Sequence, residues 1–296
     1  MREIAAFIMA SRGRAILVAG GVGLLGVFFL PLILLSAAAV GLVTLRRGGF
    51  EGLLTMLASS LIVGGIFLLL PPRPGFSFPL VFALWPPVWI GAVVLRHTFS
   101  QGVSLTVIGV LMLAYVAAMH ALTSGDVIGF WRAWIERAIA NVPGATVEGF
   151  DYEGTLRLMN GLVAMAYGAG SSVALILARW WQAILYYPGG FHAEFCQLRL
   201  PRWLLPGLVG IVWLAGYWSK ILLADLLLAS MAIYLFGGLS VLHAVVSLRN
   251  LSGFWLVPVY SLLVLMPQYA IVGLALLGAL DSLLDLRGRT EVEKDE

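Results

Sequence analysis

The chain has 296 residues, of which 61% are hydrophobic and 11% charged, with a formal net charge of +3. No water-soluble fold has enough polar surface to cover that composition, and so small a net charge leaves no footprint for nucleic acid. A single cysteine, Cys196, excludes an internal disulfide and a thiolate metal cluster.

Apolar runs recur from Ala15 to Leu286, and only residues 123–157 interrupt them with a long polar stretch. A run of about 18 or more apolar residues crosses a ~30 Å hydrocarbon core as helix. The expectation is an all-α, polytopic transmembrane helix bundle, one integral membrane domain over residues 1–296. Arg2, Arg12 and Arg14 precede the first run in the manner of a secretory signal. That run, Ala15 to Leu45, is far longer than a signal's apolar region of about 7–15 residues, so it reads as retained membrane structure. As one helix it would be roughly 46 Å long, so two short helices meeting at Pro31 are expected.

Leu53–Leu70 is the next span, closed by Pro71, Pro72 and Pro74. Phe78–Leu95 carries Pro86 and Pro87, tolerated where neighbouring helices satisfy the freed carbonyls. Val103–Leu122 and Leu158–Ala178 follow. Trp203–Arg249 holds two crossings parted near Ser219 and Lys220, and Ser252–Leu286 forms a hairpin around Pro267. The count is ten crossings, falling to eight if a proline-centred hairpin is re-entrant. Of eighteen basic residues, this topology puts thirteen on the side of the termini and five opposite, namely Arg73, Arg132, Arg137, Arg157 and Lys220. That bias sets both termini, and a short charged tail over residues 287–296, in the cytoplasm of a bacterial inner membrane.

Three regions carry what chemistry there is. Asp126–Asn141 reads as an interfacial helix with Val127, Trp131, Trp134 and Ala138 on one face and an Arg132–Glu136 pair on another. It is either a lid over an outward-facing cavity or a connector resting on the bilayer. Residues 179–202 form an aromatic elbow on the cytoplasmic side. Its Arg179, Trp180, Trp181, Gln182, Gly189, Gly190, Phe191, Glu194 and Arg199 are candidates for docking a protein partner. Inside the spans, His243, Asp281 and Asp285 are the costly polar groups, with His120 near the outer end of its own span and Asp225 one turn inside another. Asp281 and Asp285 read either as a cation-holding pair or as the ion-paired exit of a helix, Asp285 to Arg289. Asn160, Ala164, Gly168 and Ser172 make a small-residue stripe for close helix packing. No catalytic or metal-ligand motif is present, so neither an enzyme nor a bound cofactor is expected.

The run Arg179-Trp-Trp-Gln through Tyr187-Pro-Gly-Gly-Phe191, with Glu194-Phe195 and Leu198-Arg-Leu-Pro201, resembles the proteobacterial branch of the YybS-like membrane proteins, whose function is unknown. Leu45-Arg-Arg-Gly48, Trp255-Leu256 with Tyr260, and Leu280–Arg289 are similar to residues of that family. The resemblance implies a distant likeness to the S-components of energy-coupling-factor transporters, which capture a small molecule and dock on an ATPase module. The rod-shape scaffold MreD is similar at the same distance. The expected function is therefore a small-molecule binding or transport component, with Asn160, Tyr217, Lys220 and Asp225 lining its ligand site. The alternative is a non-transporting scaffold for cell-envelope machinery. Either role adds a cytoplasmic or membrane partner to the lipid bilayer.

Overall fold

A computed structural model describes residues 1–26, 28–69, 80–140, 144–151 and 154–287. Among these, every regular element is helical. The chain is an all-α polytopic bundle, and five helices are long and apolar enough to cross a membrane. They are α4 (Gly49–Leu69), α6 (Gln101–Leu122), α9 (Thr155–Tyr186), α12 (Lys220–Leu248) and α14 (Pro267–Leu284).

The other expected crossings form α5 (Val81–Thr98), which equals α14 in length but carries two prolines and Arg96, and the shorter helices α2 (Arg12–Leu25), α3 (Pro31–Arg47), α11 (Leu204–Trp218) and α13 (Val257–Leu265). At about 1.5 Å per residue, the 15 residues of α11 reach roughly 22 Å, short of a full hydrocarbon core. Four further helices are α1 (Arg2–Ala10), α7 (Val127–Ile139), α8 (Val147–Phe150) and α10 (Gly190–Cys196). The expected stop at Pro71, Pro72 and Pro74, and the charged tail beyond Arg287, fall outside the described residues.

The breaks sit where the sequence puts prolines and hydroxyls. Pro31 and Pro267 each open a helix at its first turn, where their missing N–H has no intrahelical partner to lose. Between α11 and α12 the backbone of Ser219 is extended. Its hydroxyl accepts from the Ile221 and Leu222 N–H groups at 3.2 and 3.3 Å. That is an N-cap, and it ends one helix and starts the next without a loop. Ser100 caps α6 in the same way through the Val103 N–H at 3.3 Å.

The helix α9 is the spine. It packs against α3 and α5 on one side and against α6 and α12 on the other, so it joins two halves of the bundle. The expected stripe along it is buried, with Asn160 and Ala164 at 1% and 0% exposure and Gly168 against Met112 and Ala232. Another close approach is between α12 and α14. A Cβ at Gly238 would stand 2.0 Å from the Leu274 carbonyl oxygen, and one at Gly278 would stand 2.2 Å from that of Tyr234. Small residues let backbones meet there, since in lipid the helices gain from van der Waals contact more than from apolar burial. Outward, the bundle exposes Leu61, Leu68, Leu69, Val264 and Leu265. A surface this apolar is covered by acyl chains.

Gly238→Leu therefore forces α12 and α14 apart. Overpacking of this kind costs about 1–3 kcal/mol, and thermal unfolding in detergent should show a lowered midpoint. The same substitution at Gly207, where a Cβ meets nothing within 4 Å, should leave the midpoint unchanged.

Candidate functional site

The two ends of the bundle differ in chemistry. At the elbow end, guanidinium groups bond helix C-termini. Arg47 donates to the Met9 carbonyl at 2.6 Å and Arg96 to the Leu45 carbonyl at 2.7 Å. Arg287, 3% exposed, donates to the carbonyls of Cys196 and Leu198 at 2.6 and 2.8 Å and to the Asp281 carboxylate at 2.6 Å. The last carbonyls of a helix have no partner within it and carry its negative dipole end, so a cation there stabilises twice over.

The elbow is built the same way. Arg179 makes a two-pronged pair with Glu194 at 2.8 and 2.9 Å and bonds Gln182, while the Tyr187 ring lies 5.1 Å from its guanidinium carbon. Gln101 adds a third donor to Glu194 at 3.3 Å. Trp181 is wholly buried. Within the expected docking set, Arg179, Gln182 and Glu194 are joined to one another by these bonds, and Trp181 belongs to the core. Trp180, Gly190 and Phe191 are half-buried, with Phe191 stacked on Phe195 at 6.0 Å. Of the set, Gly189 and Arg199 are exposed, and Arg199 is paired with Asp285 at 3.0 Å.

Of the two carboxylates of α14, Asp281 pairs with Arg287 and Asp285 with Arg199. Arg289, the expected partner of Asp285, lies outside the described residues. His243 donates from Nδ1 to the Leu239 carbonyl at 2.9 Å and accepts at Nε2 from the Tyr260 hydroxyl at 3.2 Å. A neutral ring meets both bonds, and its place is structural.

At the opposite end, beneath α7, lies a cavity of about 680 Å³. Leu30, Leu34, Leu84, Trp131, Trp134, Met159, Val163 and Tyr167 are among its walls, which come from α3, α5, α7 and α9. The lining side chains are apolar apart from the Tyr167 hydroxyl and the indole N–H groups of Trp131 and Trp134. The helix α7 does not lie free on the bilayer. Val127, Trp131 and Ile135 are buried, the latter two in a cluster with Val147 and Leu156. Asp126 caps it through the Gly129 N–H at 2.9 Å. Instead of the expected Arg132–Glu136 pair, Arg132 reaches Glu148 at 3.7 Å and Asp151 at 4.0 Å, which ties α7 to α8 and its C-cap.

On the far face of α9, three helices meet at Asp225. This carboxylate on α12 is fully buried. Its Oδ2 accepts from Asn160 Nδ2 and bonds His120 Nε2, both at 2.8 Å, and its Oδ1 accepts from the Gly161 N–H at 2.9 Å. Glycine is required at 161, because a Cβ there would stand 2.7 Å from the Asp225 Cα. Without these donors a carboxylate at membrane depth costs several kcal/mol.

Of the four expected ligand residues, the structure brings together only Asn160 and Asp225. Tyr217 is 73% exposed on α11, its ring 4.9 Å from Trp213, and Lys220 is exposed at the first turn of α12. None of the four lines the cavity. The reason is the two-faced geometry of α9: Met159, Val163, Ala166 and Gly170 turn towards the cavity, while Asn160 and Gly161 turn towards α12. His120 completes the buried cluster from a helix far away in sequence, and no spacing signals it. The chain matches no family model, no curated protein and no solved structure.

Arg287→Ala removes the cation from the buried Asp281 carboxylate and a donor from the Cys196 and Leu198 carbonyls, a loss of about 3–5 kcal/mol. Arg199→Ala breaks an exposed pair and should cost under about 1 kcal/mol; chemical unfolding in micelles compares the two. Burial pushes the Cys196 thiol up, with Arg287 opposing it in part. A raised thiol stays protonated at neutral pH, so maleimide labelling of Cys196 should be slower than that of free cysteine at pH 7.5. The rate should rise as the pH is brought above the ordinary thiol range.

Proposed function

We propose that this membrane protein is a small-molecule binding or transport component that takes an apolar or weakly polar ligand into the cavity beneath α7. The observation that carries this reading is the cavity itself, closed on one side by Trp131 and Trp134. Its volume of about 680 Å³ falls within the ~300–1,000 Å³ of small-molecule sites. Tryptophan and tyrosine offer large, stiff apolar faces with one polar tip, which suits a ligand that carries a single polar group on a hydrocarbon body. A solid apolar core is what a pure scaffold for envelope machinery calls for, and the cavity favours binding over that role.

The arginine-rich elbow end supports an inner-membrane orientation with both termini in the cytoplasm and the cavity facing outward. The resemblance of the elbow run to YybS-like proteins, and through them to transporter S-components, points in the same direction. An energising partner on the cytoplasmic side would meet the exposed Pro188, Gly189, His192 and Arg199 before the half-buried Arg179–Glu194 pair.

Native mass spectrometry of the full chain in nanodiscs tests the reading. A discrete adduct is expected, and Ala166→Trp, which fills the cavity, should abolish it without loss of folded protein. Tryptophan emission quenched by a brominated fatty acid gives the same comparison in solution. If Ala166→Trp retains the adduct, or if the wild type carries only the lipids of the disc in their bulk ratio, the cavity is not a ligand site.

A further inference from the structure

At the elbow end, the C-terminal ends of α3, α5 and α9 enclose a cleft of about 250 Å³. Leu45, Leu95, Arg96, Phe99, Arg179 and Gln182 line it. Helix C-termini carry negative dipole ends, and arginines gather there to offset them. Capping uses part of this positive charge and leaves the rest.

Arg179 is matched by Glu194 and also donates to Gln182. Arg96 uses one nitrogen as a cap, Nη1 donating to the carbonyls of Leu45 and Arg46 at 2.7 and 3.2 Å. Among the described residues, its Nε and Nη2 have no partner. Arg46, exposed in the last turn of α3, makes no side-chain hydrogen bond or ion pair among the described residues. Its guanidinium carbon stands 4.1 Å from the centre of the Tyr186 ring. Tyr186 shares a face of α9 with Arg179 and Gln182, so the stacking holds Arg46 beside the cleft. Glu51 at the start of α4 is paired with Arg12. With Glu194 offset by Arg179, the charges of Arg46 and Arg96 are left over.

A second observation concerns Phe99. It ends α5 in the left-handed conformation at φ 55°, and its ring is 84% exposed. Glycine is the usual residue at such a position, and a phenyl ring gains nothing from water. Where headgroups meet acyl chains, the same ring has apolar company. The Trp89 indole, which donates to the Gly49 carbonyl at 2.8 Å beside the α3–α4 turn, marks that level of the bilayer.

We propose that this cleft binds the headgroup of an anionic phospholipid, its phosphate held between Arg46 and Arg96 and its acyl chains passing Phe99. The guanidinium fork matches phosphate oxygens two at a time. Basic pockets between helices at a membrane face take lipid headgroups of this kind. The volume is below the ~300–1,000 Å³ of sites that enclose a small molecule, so the headgroup enters and the chains stay in the bilayer. The site lies at the opposite end of the bundle from the α7 cavity and does not depend on what that cavity binds.

Native mass spectrometry of the full chain released from nanodiscs of equal parts phosphatidylglycerol and phosphatidylcholine tests the site. Phosphatidylglycerol should be retained beyond its share of the disc. Arg46→Gln and Arg96→Gln should each lower that excess about fivefold, the ratio that about 1 kcal/mol per basic residue gives. Arg202→Gln removes an exposed charge at the same end outside the cleft, and Ala166→Trp fills the α7 cavity; both should keep the excess. If Arg96→Gln fails to fold for want of the α3 cap, Arg46→Gln decides alone, since no hydrogen bond of the fold rests on its side chain. Equal retention of the two lipids by the wild type overturns the proposal. An excess that survives Arg46→Gln does the same, and so does one that falls equally in Arg202→Gln, which is surface attraction without a site. Loss in Ala166→Trp places the lipid in the other cavity and also overturns it. Displacement of the excess by millimolar inorganic phosphate makes the cleft a free-phosphate site and overturns the lipid assignment. An excess that Ala166→Trp keeps lends nothing to the cavity reading, so the two fail separately.

Discussion

A carboxylate with no exposure sits inside a helix bundle made for lipid, and much of the architecture follows from satisfying it. Asp225 requires three donors, and the bundle supplies them from α6 and α9. The Gly161 N–H reaches it only because residue 161 lacks a Cβ, so the crossing of α9 and α12 is set by the same need. Once α6 and α9 are held against α12, the segment between them is drawn over the bundle end. The cavity beneath α7 is the space that arrangement leaves on the other side of α9.

The elbow end works by a different rule. Its arginines look, in sequence, like the cytoplasmic charges that orient a membrane protein. In the fold, several also act as capping groups. Arg47, Arg96 and Arg287 donate to the carbonyls at the ends of α1, α3 and α10. Arg179 holds the turn of the elbow through Glu194. The guanidinium fork suits this capping because it stays charged while satisfying several acceptors at once. The result is a stiff end at the elbow and a lidded end opposite.

Much of the fold is legible in the chain. The apolar runs, the prolines at positions 31 and 267 and the serine at 219 place most helix boundaries, because each acts on its own neighbours in sequence. The face of α7 with Val127 and Trp131 follows from helical period, as does the stripe from Asn160 to Ser172. The candidate site is legible only in fragments. Asp225 and Asn160 attract notice as polar groups at membrane depth, but Tyr217 and Lys220 stand near Asp225 in sequence and elsewhere in space. Arg132 pairs with Glu148 and Asp151 rather than with Glu136 one turn away, since packing on α9 turns it towards the chain that returns.

What the sequence determined by itself is the solvent of this protein and its helical material. Composition and run length answer to lipid thickness, and capping and proline act over a few residues. What only the tertiary structure decided is which polar groups meet. The bond from His120 to Asp225 spans 105 positions, and that from Arg287 to Leu198 spans 89. In an apolar medium each buried polar group must find a partner, yet any of several would satisfy it, and the choice is made by which helix faces come into contact.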